Sequence, residues 1–239
     1  MPSLIFDIET VGENFDELDG TTQGVLTRWI EQEAGEDEGA YAAALADLKD
    51  GLGFSPLTGQ IVAIGVIDAE RDSGGVYFQA PGEAAKEWEE EGFTYRIMGE
   101  KEMLEKFWEL AGRYTAFITF NGRQFDVPYL LLRSAVHKVK PTKDLMSNRY
   151  LSSQRFDAKH VDLYDQLTFY GALRRHSSLH MFCRAFGIPS PKAGGVTGDD
   201  VAGLFREKKF TQIAQYNARD LASTKALYHH WRQYLTFNQ

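Results

Sequence analysis

The chain opens on an alternation. Apolar residues from Leu4 to Ile8 enclose a single acid, and Phe6-Asp7-Ile8-Glu9-Thr10 sets Asp7 and Glu9 two positions apart. Extended backbone sends successive side chains to opposite faces, so the two carboxylates share one face while Phe6 and Ile8 share the other. This predicts a strand over about 3–9. A second run, Ile61-Val62-Ala63-Ile64-Gly65-Val66-Ile67, is apolar throughout and rich in β-branched residues. It reads as a central strand covered on both faces. Ser73-Gly74-Gly75 signals a turn, after which Val76-Tyr77-Phe78 returns as the hairpin partner. Ala116 to Phe120 is another short buried strand, and His160-Val161-Asp162-Leu163 alternates in the same way. Residues 83–91 are polar and acidic and read as a connection.

Helical spacing fills the intervals. Val25, Leu26, Trp29 and Ile30 recur at three and four residues, as one apolar helix face does, and Tyr41, Leu45 and Leu48 repeat the pattern. Gly51, Gly53 and Pro56 end it. These helices make an acidic insertion at about 13–55. Met103, Leu104, Phe107, Trp108 and Leu110 mark an amphipathic helix over 102–110, and a long helical pattern runs from Thr211 to Trp231. The order is strand, insertion, two strands, helix, strand, helix. It predicts an α/β fold, a central mixed five-stranded sheet flanked by helices, formed by residues 1–239 as a single domain.

Composition narrows the class. Of 239 residues 43% are hydrophobic and 25% charged, ordinary for a globular protein with a sizeable core. Met1-Pro2-Ser3-Leu4 has no basic and apolar leader, and no apolar run approaches the roughly 18 residues that span a bilayer. Cys183 is the only cysteine, which excludes an internal disulfide and suits a reducing, cytoplasmic setting. The net charge of −8 hides a partition: residues 1–111 hold 7 Lys/Arg against 25 Asp/Glu, whereas 112–192 hold 13 against 5. Solvated helix faces account for much of such charge, yet a basic middle segment also suits contact with a polyanion.

Three stretches carry candidate chemistry. Asp7 and Glu9 on one face of a buried strand repel each other and lose hydration, and a hard divalent cation such as Mg²⁺ or Mn²⁺ relieves both costs. A frayed, solvated strand end would relieve them too. In Phe120-Asn121-Gly122-Arg123-Gln124-Phe125-Asp126-Val127-Pro128-Tyr129-Leu130, Gly122 permits a tight exit from the strand. Asp126 there either caps the helix holding Pro128 or faces the sheet edge where ligands of α/β proteins gather. Tyr216-Asn217-Ala218-Arg219-Asp220 stacks Tyr216 on Asp220 along one helix face, as a hydrogen-bonded pair or as part of a site.

Together the three resemble the exonuclease motifs of DEDDy-type 3′–5′ exonucleases, and most closely the proofreading domain of family-B DNA polymerases. Phe6 to Thr10 matches the first motif. Asn121, Phe125, Asp126 and Pro128 to Leu130 match the second, and Tyr216 with Asp220 the third. The resemblance implies a ribonuclease H-like fold and metal-dependent removal of nucleotides from the 3′ end of a single strand, DNA in preference to RNA. It implies two Mg²⁺ or Mn²⁺ ions, with Asp7 bridging them, Glu9 and Asp220 holding the first, and Asp126 supporting the second largely through water. Tyr216 would orient the attacking water. The histidine version of the family carries its histidine where Gln215 stands, so the tyrosine form matches better. The sequence is expected to be a stand-alone exonuclease rather than part of a polymerase, and the acidic insertion does not align with that pattern. Two other readings stay open: an RNA or oligoribonucleotide 3′-end trimmer, and a catalytically idle module that holds nucleic acid or, through the acidic insertion, a protein partner.

Further candidates are less determined. Thr10, Asn121 and Phe125 lie within the motifs as substrate contacts, although Phe125 and Tyr129 equally suit the core. Arg174 and Arg175 with His176 form a compact basic loop suited to a phosphate backbone, and Arg123, Arg155 and Lys159 share the basic segment. Asp162 is either a site acid or a solvated strand end. His176 and His180 are four residues apart, a spacing that can bind a transition metal, but no third ligand accompanies them.

Overall fold

A computed structural model describes residues 2–190 and 195–236. The first strand, β1 (Ser3–Gly12), lies inside the sheet between β2 (Gly59–Asp68) and β6 (Ala116–Thr119), and α8 (Phe210–Tyr234) and α7 (Val201–Arg206) pack across it. Its predicted alternation holds. Leu4, Phe6 and Ile8 enter one apolar core, Ile5 and Val11 the other, and Asp7 and Glu9 lie on the second face. β2 (Gly59–Asp68) pairs with it antiparallel, and the register slips by one residue between Glu9 and Thr10. β3 (Gly74–Phe78) continues the sheet antiparallel to β2. The turn before it comes earlier than the glycines suggested: Asp68 accepts the Glu70 and Arg71 N–H groups, and Gly74 and Gly75 are already paired.

The sheet has seven strands rather than five, in the order β4-β5-β3-β2-β1-β6-β7. The additional pair is β4 (Glu87–Glu90) and β5 (Phe93–Ile97), a hairpin inside and after the stretch read as a connection. Two properties concealed it. Its turn is Glu91-Gly92 with both residues at positive φ, a geometry normally signalled by Asn-Gly or Asp-Gly. Its outer strand carries three glutamates around one inward tryptophan, Trp88, which stacks on Tyr95 with ring centroids 5.2 Å apart. Acids on an edge strand discourage pairing with another chain, so the composition that resembled a loop protects an edge.

Two helical layers cover the sheet. On one face lie α3 (Glu100–Ala111) and α4 (Asp126–Val136), sealing Phe6, Ile64, Phe107, Trp108 and Leu130. On the other, α8 (Phe210–Tyr234) crosses β1, β2 and β3. It is joined there by α5 (Leu163–Leu167), α6 (Leu179–Phe186) and α7 (Val201–Arg206). β6 (Ala116–Thr119) and β7 (Lys159–Asp162) extend the sheet parallel to β1. Among the described residues no helix is long and apolar enough to cross a membrane.

The insertion forms α1 (Gly20–Ala34) and α2 (Glu38–Gly51), capped by Asp19 and Asp37 and packed on each other. Its apolar face is thinner than the spacing suggested. Ile30 is fully buried, but Val25 and Trp29 remain 61% and 46% exposed, because a two-helix unit has too little mass to cover both. The end of the insertion is pinned tightly to β1. A Cβ on Gly12 would lie 2.7 Å from Leu52 Cβ, and one on Gly53 would lie 2.9 Å from Gly12 N.

Candidate active site

Three of the four motif acids converge. One carboxylate oxygen each from Asp7, Glu9 and Asp220 lies within 4.8 Å of the others. Asp7 and Glu9 arrive from β1 and Asp220 from α8, so residues more than 200 positions apart meet where the helix crosses the strand. The crossing is close because β2 carries no side chain beneath it. Gly65 pairs with Asp7, and a Cβ there would stand 1.9 Å from Asn217 Oδ1 and 2.5 Å from Leu221 Cδ1. A lone glycine inside an apolar strand is itself a sequence signal of close approach, one that the motif pattern does not include.

Asp126 takes a different position from its three partners. Phe125 occupies the capping position of α4, and Asp126 is the first helical residue, so it does not serve as the cap. Its Oδ1 accepts the Ile8 N–H at 3.1 Å. That donor is available because β6 pairs with β1 only over Ser3–Ile5. Asp126 is therefore held against β1 beside the cluster by a backbone bond.

The electrostatics are those of concentrated negative charge. Burial, and then Asp126, Glu9 and Asp220, push the Asp7 carboxyl well above its ordinary value. Burial, and then Asp220, do the same to Glu9. Burial raises Asp126 to about 7 against the hydrogen bonds it accepts. Among the described residues the neighbour that favours the charged forms of Asp7 and Glu9 is the Asn217 amide, which donates to Asp7 Oδ2 at 2.8 Å. Asn217 is wholly buried, and sequence reasoning gave it no role although it lies between the two residues of the third motif. Burial first, then Asp220, Glu9 and Asp7, hold the Tyr216 phenol far above its usual range, so it is a neutral hydroxyl hydrogen-bonded to Asp220.

This donor set suits a hard divalent cation. The ligands are carboxylate oxygens, they are buried or half-buried, and none of the groups that shift Asp7 or Glu9 is cationic.

The remaining candidates are distributed around this centre. Asp162 sits at the start of α5 and ties down the loop after β6, accepting from the N–H groups of Asn121 (2.8 Å), Arg123 (2.9 Å) and Tyr164 (3.0 Å). That is a structural post. Asn121, at φ +64°, forms the exit from β6, where its backbone makes the Asp162 bond. The Thr10 hydroxyl donates to Gly53 O at 2.8 Å, supporting the end of the insertion. Arg123 is committed to the Leu145 and Met146 carbonyls, and Arg155 pairs with Asp157 on the surface. Arg174 and Arg175 are exposed in the loop between α5 and α6. His176 hydrogen-bonds the Tyr164 hydroxyl at 2.6 Å and His180 the Ser190 hydroxyl at 2.6 Å, so the two histidines serve separate partners.

Sheet order, helix layers and the crossing of α8 over β1 define the class: an α/β domain of the ribonuclease H-like fold, matching the exonuclease domain of family B polymerases. The chain belongs to the family of predicted 3′–5′ exonucleases related to the exonuclease domain of PolB, whose model matches residues 57–236. Asp7 and Glu9 precede the matched region, whereas Asp126, Tyr216 and Asp220 lie inside it. Among solved structures the chain is similar to the family B DNA polymerase from the hyperthermophilic archaeon Pyrobaculum calidifontis. The TM-score is 0.58 and the identity 16%, over 98% of this chain and 25% of that one, so the chain spans about a quarter of the polymerase's length. No curated protein matches the sequence.

Proposed function

We propose that the protein is a metal-dependent 3′–5′ exonuclease that hydrolyses the terminal phosphodiester of a single strand, DNA in preference to RNA. The observation that carries the reading is the convergence of Asp7, Glu9 and Asp220 within 4.8 Å, beside a neutral Tyr216 hydroxyl. Asp7, Glu9, Asp126 and Asp220 would hold two divalent ions, Mg²⁺ or Mn²⁺. Bound there, such ions neutralise charge on the phosphate and on both oxygens of an in-line displacement.

The chain's own residues supply position. Asn217 fixes the Asp7 carboxylate through its 2.8 Å bond, and the Ile8 N–H fixes Asp126. Tyr216 keeps its proton, directed in a hydrogen bond to Asp220, leaving the lone pairs of the phenol oxygen to align an attacking water. The water oxygen forms the new bond to phosphorus as the bond to the 3′-oxygen breaks, and that oxygen leaves with a proton. The products are a nucleoside 5′-monophosphate and a strand shortened by one residue, again ending in a 3′-hydroxyl.

Binding of the strand draws on the basic segment, because the acid cluster repels phosphate by itself. Arg174 and Arg175, exposed in their loop, are the proposed backbone contacts. The test is incubation of matched, 5′-labelled DNA and RNA oligomers with protein in Mg²⁺, Mn²⁺ or EDTA. Stepwise shortening from the 3′ end in metal, none in EDTA, and faster loss of DNA are expected. Full activity in EDTA refutes the mechanism, and faster loss of RNA replaces DNA with the RNA-trimming substrate.

A further inference from the structure

Basic residues are sparse in the first 111 positions, yet two of those seven, Arg71 and Arg96, line one cleft. It lies on the α3 face of the sheet, away from the carboxylates, and its volume of about 420 Å³ falls within the range of ligand pockets. Buried Leu4 and Val66 form its floor, which Gly75 and Thr94 continue across β3 and β5. Leu110 and Tyr114, at the end of α3 and just beyond it, make one wall, and half-buried Tyr77 borders the floor at Gly75.

Packing within the chain does not require a glycine at position 75. A Cβ on its neighbour Gly74 would lie 2.5 Å from Phe93, whereas one on Gly75 would meet nothing nearer than Thr94 O at 3.6 Å. A strand glycine that the chain's own packing does not demand marks a place where a ligand can approach the backbone. The polar groups around it divide in the same sense. Asp68 is engaged, accepting from the Glu70 and Arg71 N–H groups and from the Tyr114 hydroxyl at 3.2 Å, and Glu87 pairs with Arg96 at 3.3 Å. Among the described residues the Arg71 guanidinium has no ion-pair partner and the Tyr77 hydroxyl no hydrogen bond. A ligand therefore meets cation and phenol above an apolar floor.

Those features select one kind of molecule. A flat ring suits a floor without side chains bordered by tyrosines, and guanidinium groups bind phosphate through paired donors. We infer that this cleft is a second nucleotide site, which takes a nucleoside 5′-monophosphate with its base over Gly75 and its phosphate at Arg71 and Arg96. This rests on the exonuclease reading, since the proposed hydrolysis releases that molecule on the other face of the sheet. The surrounding segment, with 25 acids against 7 bases, repels the further phosphates of a strand, so the site favours the free monomer.

Binding is read by isothermal titration calorimetry on Asp7→Asn protein in EDTA, so that no metal recruits the ligand to the carboxylates. The probes are deoxyadenosine 5′-monophosphate, deoxyadenosine, inorganic phosphate and a short oligodeoxyadenylate. The monophosphate should bind about 10-fold more tightly than either of its fragments, and more tightly than the oligomer. Gly75→Ala, which fills part of the floor, and Arg71→Ala, which removes the unpaired guanidinium, should each weaken it about 10-fold. With Asp7 restored, neither change should alter initial turnover of a single strand. No binding of the monophosphate, binding that both variants leave unchanged, or tighter binding of the oligomer overturns the monomer site, while stepwise shortening of oligomers by wild-type protein still upholds the exonuclease reading. Monophosphate binding without any shortening overturns that reading instead, and leaves a nucleotide site with no tie to the reaction.

Discussion

The site depends on how closely α8 can lie on the sheet, and Gly65 tests that dependence directly. In Gly65→Ala the new methyl would stand 1.9 Å from Asn217 Oδ1, whereas ordinary contact begins near 3.4 Å, so the amide must retreat by about 1.5 Å. Leu221 Cδ1, at 2.5 Å, must move as well. Both side chains are wholly buried and cannot swing into solvent, so the helix itself shifts. Overpacking of this kind costs about 1–3 kcal/mol, and two blocked side chains on one rigid helix put the cost near the upper end. At about 2–4 °C per kcal/mol for a chain of this length, the melting temperature should fall by about 6–12 °C. Because Asn217, Tyr216 and Asp220 ride on the same helix, turnover should fall on the order of 10²-fold even well below the melting temperature. Gly75→Ala is the control. It sits in the neighbouring strand, paired with Val66, and its methyl would meet nothing nearer than Thr94 O at 3.6 Å. Thermal unfolding by circular dichroism and turnover on a single-stranded oligomer read both effects. Equal melting temperatures for the two variants, with turnover retained in Gly65→Ala, would refute the account of how the helix and strand are juxtaposed.

Four further expectations are independent of that one. In wild-type protein Mg²⁺ or Mn²⁺ at about 100 times its dissociation constant should add about 3 kcal/mol of stability, a rise of several degrees that Asp7→Asn abolishes. Tyr216→Phe should lower kcat on the order of 10²-fold while keeping that metal-induced rise, and an unchanged kcat would leave the tyrosine a packing residue. Glu100 is nearly buried; burial alone would raise its carboxyl, but Arg133, the Ile61 N–H and His137 together hold it below its ordinary value of 4.5. Its stabilisation is thus present above that value and lost as pH falls through the lower folded value. Glu100→Gln should cost about 3 kcal/mol at neutral pH, where it leaves Arg133 uncompensated, and the difference in melting temperature should narrow on acidification below 4.5. Replacing Arg174 and Arg175 with Ala should weaken binding of a single strand to Asp7→Asn protein. The same change should flatten its salt dependence by about 0.7 in log–log slope for each phosphate that is no longer neutralised, and identical slopes would remove the loop from the interface.

What the sequence by itself determined about this protein lies in short periods. Two residues of spacing place Asp7 and Glu9 on one face of β1, and four place Tyr216 over Asp220 on α8, because strand and helix geometry act over a few residues of backbone. The unbroken apolar run of β2 likewise declared a strand buried on both faces. Only the tertiary structure decided what those faces meet. It brought Asp220 to Asp7 through a gap left by Gly65, and it gave Asp126 the Ile8 N–H because β6 stops pairing early. It also made Asp162 a tether of the loop after β6, and it brought Phe54 edge-on to Phe125. The β4–β5 hairpin was hidden for a related reason. Its strand identity rests on Trp88 packing against Tyr95 and Phe78, while its glutamates face outward and its turn lacks the usual residues. Each of these facts joins positions distant in the chain, or depends on which side chains a neighbour leaves out. Local periodicity carries no record of either, since it fixes the direction of a side chain and not the surface that arrives to meet it.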